Sequence, residues 1–473
     1  SDYILGGRQL SPSVAALSAG ASDMSGWLLL GLPGAIYLGG AKESLIGVGL
    51  LIGAYLNWKI VAPRLRALTE IFSDSLTLPD YFTHRFNDQS QQLRLVSAII
   101  ILLFFTFYTA SGMVAGAKLF SHTFAMDYQV ALWIGAGVIV SYTFLGGFLA
   151  VSWTDFVQGI LMLLALVIAP LVVVHELQGW SQTANIVETA SNNLFSAGEI
   201  KHSLTDPYSG LGWISGLSML AWGFGYVGQP HILARFMAVK KVSDIAPARR
   251  IAMSWMTLSL LGAILTGFVG IAYFQLHPGA GYAELKHDPE AVFILLTKVL
   301  FNPWVAGFLL AAILAAVMST IDSQLLVCSS AITEDFYRGI FKPGASQTEL
   351  VWIGRISVLV LALIAILIAS NPDAGVLSLV SYAWAGLGSA FGPVILLSVI
   401  WDRINKLGAL SGMVVGAATV VIWKQLSGGI FDLYEMFPAF IFSTIAIIFI
   451  SRATDVPERK IKEKFKQGLL ELD

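Results

Sequence analysis

Charged residues are scarce in this sequence. Asp, Glu, Lys and Arg make up 12% of its 473 residues, against roughly 25% in an ordinary soluble protein. Hydrophobic residues make up 56%, and apolar runs such as 96–107, 159–174 and 356–369 are long. So few charges could not cover that much apolar surface in water. The composition therefore indicates a chain whose solvent is the lipid bilayer, and the lack of alternating polarity favours helices over barrel strands.

Other absences narrow the function further. A single cysteine, Cys328, excludes an internal disulfide and a cysteine-cluster metal site. A net charge of −2 leaves no basic surplus for nucleic acid. No G-x-x-x-x-G-K-[ST] loop is present, so ATP is not the expected energy source. The seven histidines show no metal-binding spacing. We therefore expect neither an enzyme nor a nucleic-acid-binding protein, and no obligate protein partner is evident.

Twelve apolar segments are predicted to cross the bilayer. Their approximate bounds are 11–33, 44–63, 93–117, 129–145, 148–175, 210–234, 250–275, 304–333, 351–369, 375–401, 407–423 and 432–451. An even number of spans puts both termini on one side, and every arginine falls on that side. Because basic loops stay in the cytoplasm, the C-terminal tail 453–473 is expected to be cytoplasmic.

Two of these spans contain segments that a lipid-facing helix would avoid. Span 1 contains Gly-Ala-Ser-Asp-Met-Ser-Gly-Trp at 20–27, and span 6 contains Trp-Gly-Phe-Gly-Tyr-Val-Gly-Gln-Pro at 222–230. Backbone unwinds at membrane depth only where it lines a cavity or is buried in protein. Unwound segments expose carbonyls to a cation and helix N-termini to an anion. The alternative is that these glycines only allow close helix packing.

The positions of the two segments suggest an architecture. Spans 1 and 6 open successive sets of five, and because five is odd, the second set inserts upside down. The predicted fold is therefore an all-α integral membrane protein with a five-plus-five inverted repeat, broken helices 1 and 6, and two additional C-terminal helices. One transporter domain, 1–473, would contain repeat one at about 11–175, repeat two at about 210–401, and the additional helices at about 407–451.

Three stretches resemble the sodium–solute symporter family, and most closely its proline branch. These are Ser18–Trp27, Trp222–Phe236, and Ala311–Thr320 followed by Leu325–Asp335. The resemblance implies a secondary active transporter that takes up L-proline with sodium across the bacterial cytoplasmic membrane by alternating access. It also implies one further helix ahead of the first repeat. Two alternatives stay open, namely a sodium-coupled symporter of another small organic solute and a solute-sensing membrane protein.

The family's sodium ligands map onto Ala21 and Met24 of span 1 and onto Ala316, Ser319 and Thr320 of span 8. Carbonyl and hydroxyl oxygens suit sodium, which is a hard cation, and neutral ligands keep its binding reversible. The glycines around the first break would free the carbonyls. The competing interpretation is that Ser319 and Thr320 only bond back to their own helix.

Several acidic residues lie within predicted spans, where a carboxylate is costly and a functional role is the default hypothesis. Asp23 lies in the first break and is expected to couple to the ion without ligating it. Asp155, Asp322 and Ser323 are candidates for a second cation or transit site. The alternative is that the two carboxylates only face a wet cytoplasmic vestibule.

Proline carries a carboxylate, a secondary ammonium and a small apolar ring. Its site needs hydrogen-bond donors, acceptors or aromatic faces, and an apolar wall. The resemblance and the break in span 6 together suggest six substrate-binding residues, which are Trp27, Tyr108, Trp222, Tyr226, Gln229 and Pro230. Aromatic packing or interfacial anchoring is the alternative role for the tryptophans and tyrosines.

Overall fold

The computed structural model describes residues 5–143 and 148–472. The first ten α-helices are α1 Pro12–Asp23, α2 Leu32–Gly39, α3 Ser44–Leu56, α4 Ala62–Ile71, α5 Leu78–Arg85, α6 Gln92–Phe124, α7 Tyr128–Thr143, α8 Phe148–Glu176, α9 Trp180–Ser196 and α10 Trp213–Ala221. The next ten are α11 Pro230–Ala238, α12 Ile245–Leu276, α13 Tyr282–His287, α14 Val292–Leu300, α15 Pro303–Ser330, α16 Gln347–Ala369, α17 Val376–Ile400, α18 Lys406–Trp423, α19 Met436–Ala453 and α20 Arg459–Leu470.

Within the described residues, nine helical segments are long and apolar enough to cross a membrane. This confirms the prediction of an all-helical integral membrane protein. The first and sixth predicted spans consist of shorter helical pieces, and α7, the fourth, has only 16 residues. The predicted end of that fourth span, 144–145, lies outside the described residues.

Helix α15 shows how the sequence sets where a helix begins. The Asn302 side chain accepts hydrogen bonds from the backbone N–H groups of Trp304 and Val305, both at 3.1 Å. Pro303 occupies the first helical position, where its missing N–H leaves no bond unmade. The sequence thus marks the start of the helix that carries Ser319 and Thr320.

The sixth span is not a continuous α-helix. A 3₁₀ segment, Trp222–Gly228, follows α10, and Gln229 is extended with φ −88° and ψ 107°. Pro230 then begins α11. Proline lacks an N–H and fixes its own φ, so it starts a new helix more readily than it continues an old one.

Glycines let the 3₁₀ segment lie against its neighbours. A Cβ on Gly225 would lie 1.8 Å from Nε1 of Trp384 on α17, and one on Gly223 would lie 2.3 Å from the Gly49 carbonyl oxygen. Both distances are below any real contact. Only glycine therefore allows this segment to pack so closely against α3 and α17.

The two interrupted spans lie at the centre of the helical bundle. Helix α15 packs against α1, α6 and α8, while α17 packs against the 3₁₀ segment and α6. Trp27 and Trp384 are among the largest fully buried side chains, and Arg235 is buried with them. The polar residues discussed below are therefore surrounded by protein.

Candidate functional site

The backbone changes course at the end of α1. Met24 leaves helical geometry with φ −82° and ψ 70°, while its N–H still donates to Gly20 O at 2.8 Å. The Ser25 N–H donates to Asp23 O at 3.0 Å. In an unbroken helix it would reach back four residues to Ala21 O. The Ala21 carbonyl is therefore available to another element.

That element is α15. Ser319 Oγ lies 2.8 Å from Ala21 O and 3.0 Å from Ala316 O. Thr320 Oγ1 lies 3.5 Å from Ala21 O and 3.1 Å from Ala316 O. All four residues are at most 1% exposed, and Met24 is fully buried beside them. The structure thus brings together four of the five residues predicted to bind sodium, and Met24 lies three positions further along the same break.

The chemistry of this cluster suits a hard monovalent cation. It consists of two carbonyl oxygens and two hydroxyls, without a formal charge. Each hydroxyl has two lone pairs besides the proton it donates. Rotation about the Cβ–O bonds would turn lone pairs toward a cation while the carbonyl oxygens stay where they are. These residues therefore fit sodium as a transported ion.

Asp23, at 2% exposure, connects the first break to two other spans. Its main-chain oxygen accepts from the Tyr108 hydroxyl at 3.0 Å and from Trp27 Nε1 at 3.2 Å. Its carboxylate oxygen Oδ2 accepts from the Tyr226 hydroxyl. Among the described residues, the other carboxylate oxygen, Oδ1, has no hydrogen-bond partner. Three of the predicted substrate residues thus surround Asp23.

The aromatic side chains around Asp23 contact further aromatic rings. The ring centroids of Trp27 and Trp222 are 6.2 Å apart, and Trp222 stacks on Tyr434 at 5.5 Å. Tyr226 meets Trp384 edge-on at 5.0 Å. Faces of this kind can contact an apolar ring or a desolvated ammonium group.

Gln229, predicted to bind substrate, is buried and hydrogen-bonded to the backbone. Its amide nitrogen donates to Gly225 O at 3.1 Å and to Trp384 O at 3.2 Å. Its amide oxygen has no partner within the described part of the chain. In this arrangement the donor that a substrate carboxylate would need is bound to the backbone. Pro230 follows it as the first residue of α11.

Sequence reasoning did not identify Arg235 as a partner of Asp155. Both side chains are fully buried, and Arg235 Nη2 lies 3.0 Å from Asp155 Oδ2. The same nitrogen donates to Ser323 Oγ at 2.6 Å, and Arg235 Nε donates to Ser18 Oγ at 3.0 Å. Asp322 is 1% exposed. The signal for Arg235 was its position just past the predicted end of span 6, where an apolar helix continues.

Two more contacts were also missed. Asn57 Nδ2 donates to Tyr226 O at 2.9 Å, and Trp384 Nε1 donates to Trp222 O at 2.8 Å. Both satisfy carbonyls of the 3₁₀ segment from outside it. Such support is expected, because non-helical backbone at membrane depth needs partners from the surrounding protein.

Comparison with known proteins places the whole chain in one family. The sodium:solute symporter family matches residues 3–416. The sodium/proline symporter of Salmonella typhimurium is 56% identical, with 99% of this chain and 90% of the relative covered. The high-affinity proline transporter PutP of Bacillus subtilis is 50% identical, with 98% of this chain and 95% of the relative covered.

Solved structures show the same fold at low identity. A Na⁺-coupled sialic acid symporter superposes with a TM-score of 0.76 at 17% identity, covering 97% of this chain and 93% of the other. MHP1, a nucleobase-cation-symport-1 family transporter, superposes with a TM-score of 0.58 at 13% identity, covering 98% of both chains. With the family match over most of the sequence, these findings confirm the resemblance: the chain belongs to the sodium:solute symporter family.

Proposed function

We propose that this chain is a secondary active transporter that couples the entry of sodium to the uptake of L-proline across the bacterial cytoplasmic membrane. The observation that carries the proposal is the 2.8 Å contact between Ser319 Oγ and Ala21 O, which joins a freed carbonyl to a buried hydroxyl. The names of the Salmonella typhimurium and Bacillus subtilis relatives supply the ion and the solute.

In the proposed mechanism, sodium binds first and fixes α1 relative to α15. Ala21, Met24 and Ala316 would offer carbonyl oxygens, while Ser319 and Thr320 would offer hydroxyl oxygens. Because every ligand is neutral, the ion would be held weakly enough to leave on the other side. Binding would replace the hydrogen bonds that now join the two helices with shared coordination.

The first break also provides the proposed coupling to the solute. Ala21 and Asp23 are two residues apart, and the Asp23 carbonyl accepts from both Tyr108 and Trp27. A cation that fixes the Ala21 carbonyl would therefore also fix the group that orients these two aromatic side chains. We infer that Asp23 acts by position and charge and does not ligate the ion.

The solute would lie between the two breaks. Its apolar ring and its ammonium would contact the faces of Trp27 and Trp222, with Tyr108 and Tyr226 beside them. We propose that Gln229 and Pro230 form the end of this site where α11 begins. The Gln229 amide would have to leave its backbone carbonyls to donate to the solute carboxylate.

Alternating access would use the inverted repeat. We propose that residues of about 11–175 and 210–401 form the two repeats, that the helices of about 407–451 flank them, and that the tail 453–473 lies in the cytoplasm. Asp155, Asp322 and Ser323 would form the second cation or transit site. Because the Arg235 guanidinium pairs with the Asp155 carboxylate, another cation could bind that carboxylate only after the guanidinium moved away.

The driving force is sufficient for concentrative uptake. One charge moving through 100 mV releases about 2.3 kcal/mol, and a tenfold sodium gradient adds about 1.4 kcal/mol. Their sum corresponds to roughly several-hundred-fold accumulation for one sodium ion per solute.

The test is uptake of labelled L-proline into proteoliposomes under an inward sodium gradient, compared with an equal potassium gradient. We expect accumulation only with sodium and its loss in Thr320→Ala. Thr419→Ala, which removes a hydroxyl bonded back within peripheral α18, is the matched control and should transport normally. Equal uptake in potassium would refute sodium coupling. Sodium-dependent uptake of a different solute would overturn only the substrate.

A further inference from the structure

A cavity lies between α11 and the last turns of α15, beside the candidate site. Pro230 and Arg235 line one end of it. Thr77 and Asp335 line it as well, and its other walls are mostly apolar. Since Pro230 begins α11 at the break and Arg235 contacts Asp155, this end adjoins residues already placed near solute and ion.

A second, more open cleft adjoins the cavity. Leu76, Thr77 and Asp335 line both spaces, and the cleft continues to Arg94 and Arg338. Asp335 therefore lies where the inner cavity meets the outer cleft. In the proposed orientation, this junction is on the cytoplasmic side, where solute and ion would be released.

The Asp335 carboxylate is buried but poorly paired. The residue is 2% exposed. Its Oδ1 accepts from Thr77 Oγ1 at 3.2 Å and lies 3.6 Å from Arg94 Nε, which is beyond hydrogen-bond distance. Within the described residues, its Oδ2 has no hydrogen-bond partner. A buried carboxylate in this state is costly unless a cation compensates it.

The nearest cation is already engaged. Arg94 Nη2 lies 2.6 Å from Asp80 Oδ1, so a single guanidinium serves both Asp80 and Asp335. The other two charges of the cleft pair with each other, with Arg338 Nη1 3.2 Å from Glu334 Oε2. Three carboxyl groups, those of Asp80, Glu334 and Asp335, thus line the cleft with only two guanidinium groups among its lining residues.

The carboxylate at the inner end of the route is paired more closely. Arg235 Nη2 lies 3.0 Å from Asp155 Oδ2, so this carboxylate already has a cation within hydrogen-bond distance. Asp335 Oδ2 has no hydrogen-bond partner among the described residues, so it is the more available of the two to a passing cation.

We propose that Asp335 is a transient binding group for a small monovalent cation on the cytoplasmic exit route. The cation is the co-transported sodium ion or the ammonium group of the departing solute. This inference rests on the proposed function. It assigns to the chain a release site separate from the central oxygens of Ala21, Ser319 and Thr320.

The test measures inhibition from the inside. The full chain is reconstituted in one orientation, and initial uptake of L-proline is measured while internal sodium, or internal proline without sodium, is varied. In Asp335→Asn we expect the internal sodium concentration for half-inhibition to rise about tenfold, equivalent to about 1.4 kcal/mol. The external sodium requirement should stay unchanged. Glu349→Gln, which removes a half-buried carboxylate that pairs with Lys342, should match the wild type.

A second variant, expected to shift inhibition by internal sodium in the opposite direction, keeps the proposal testable if Asp335→Asn does not fold. Arg94→Gln removes the guanidinium that competes for Asp335, so internal sodium should inhibit at a lower concentration than in the wild type. A shift confined to internal proline in either variant would identify the solute ammonium as the cation that binds.

The outcomes separate the two proposals. Absence of sodium-dependent proline uptake in the wild type would refute the proposed function itself. Normal uptake with unchanged internal inhibition in both variants would overturn the release site alone. Equal shifts in the external and internal sodium requirement would also overturn it, because they would show that Asp335 only supports the structure.

Discussion

Ser319 Oγ lies 2.8 Å from Ala21 O, although the two residues are 298 positions apart in the chain. The contact exists because α1 breaks at Met24 and Ser25 no longer donates to the Ala21 carbonyl. A local backbone irregularity thus creates an acceptor, and a distant helix supplies the hydroxyl that faces it.

Removal of the Ser319 hydroxyl should weaken sodium activation. We expect Ser319→Ala to raise the sodium concentration for half-maximal proline uptake about tenfold, because about 1.4 kcal/mol corresponds to that factor. Sodium titration of initial uptake rates in proteoliposomes measures it. Ser329→Ala, further along α15, is the control. An unchanged sodium requirement in Ser319→Ala would remove this hydroxyl from the ion site.

The close packing of the sixth span can be tested at Gly225. A Cβ there would lie 1.8 Å from Trp384 Nε1, so Gly225→Ala must displace the 3₁₀ segment or α17. Overpacking of this kind costs about 1–3 kcal/mol. We expect a lower midpoint of thermal unfolding and weaker proline binding. Gly137→Ala makes the same substitution where the added Cβ meets open space, so the midpoint of thermal unfolding should not fall in this control. Normal behaviour of Gly225→Ala would contradict the packing described.

The buried pair of Arg235 and Asp155 predicts a non-additive result. Arg235→Gln leaves a buried carboxylate without its cation, which costs about 3–5 kcal/mol. Arg235→Gln combined with Asp155→Asn removes both charges and should be milder than the single variant. Thermal unfolding of the three proteins in detergent gives the comparison. A double variant less stable than Arg235→Gln would show that the two charges do not compensate each other.

Asp88 predicts a dependence of stability on pH. Burial acts to raise its pKa, but hydrogen bonds from Ser90, from the Leu93 N–H and from Lys406 outweigh burial and lower the pKa below its usual value. A carboxyl group whose pKa is lower in the folded than in the unfolded protein stabilises the fold at a pH above its unfolded-state pKa, which is about 3.9 for Asp. That stabilisation is lost as pH falls through the folded pKa.

Asp88→Asn removes the charge and keeps the shape. At pH 7 it should be less stable than the wild type by about 1 kcal/mol, the usual difference between charged and neutral hydrogen bonds. The difference should shrink as the pH is lowered past about 4. Unfolding midpoints across this pH range provide the measurement, and Asp373→Asn, an exposed carboxylate, is the control. If the stability difference between Asp88→Asn and the wild type were the same at every pH, the loss of charge would not be its cause.

Much of the architecture could be predicted from local features of the sequence. Apolar runs of sufficient length form helices in the bilayer whatever their neighbours are, because the backbone must satisfy its own hydrogen bonds there. The helix predicted at 304–333 lies within a helical segment that starts at Pro303. Ala21, Ala316, Ser319 and Thr320 were named because motif resemblance carries information on residues that share a site.

The remaining contacts could not be predicted in the same way. Arg235 followed the predicted end of span 6, and nothing nearby in the sequence points to Asp155, 80 positions away. Trp384 and Asn57 look like ordinary residues of apolar helices. Their role as donors to the 3₁₀ segment depends on which carbonyls that segment leaves unpaired.

The sequence by itself thus determined the bilayer as solvent, the helical spans, the family and the residue types of the candidate ion site, since hydropathy and motifs are local properties. The tertiary structure alone decided which partners those residues meet. It placed Arg235 against Asp155, turned the Gln229 amide to the backbone, and left Asp335 with half its carboxylate unpaired among the described residues. The physical reason is that hydrogen bonds and ion pairs form between atoms a few ångströms apart, and only the packing of distant helices sets those distances.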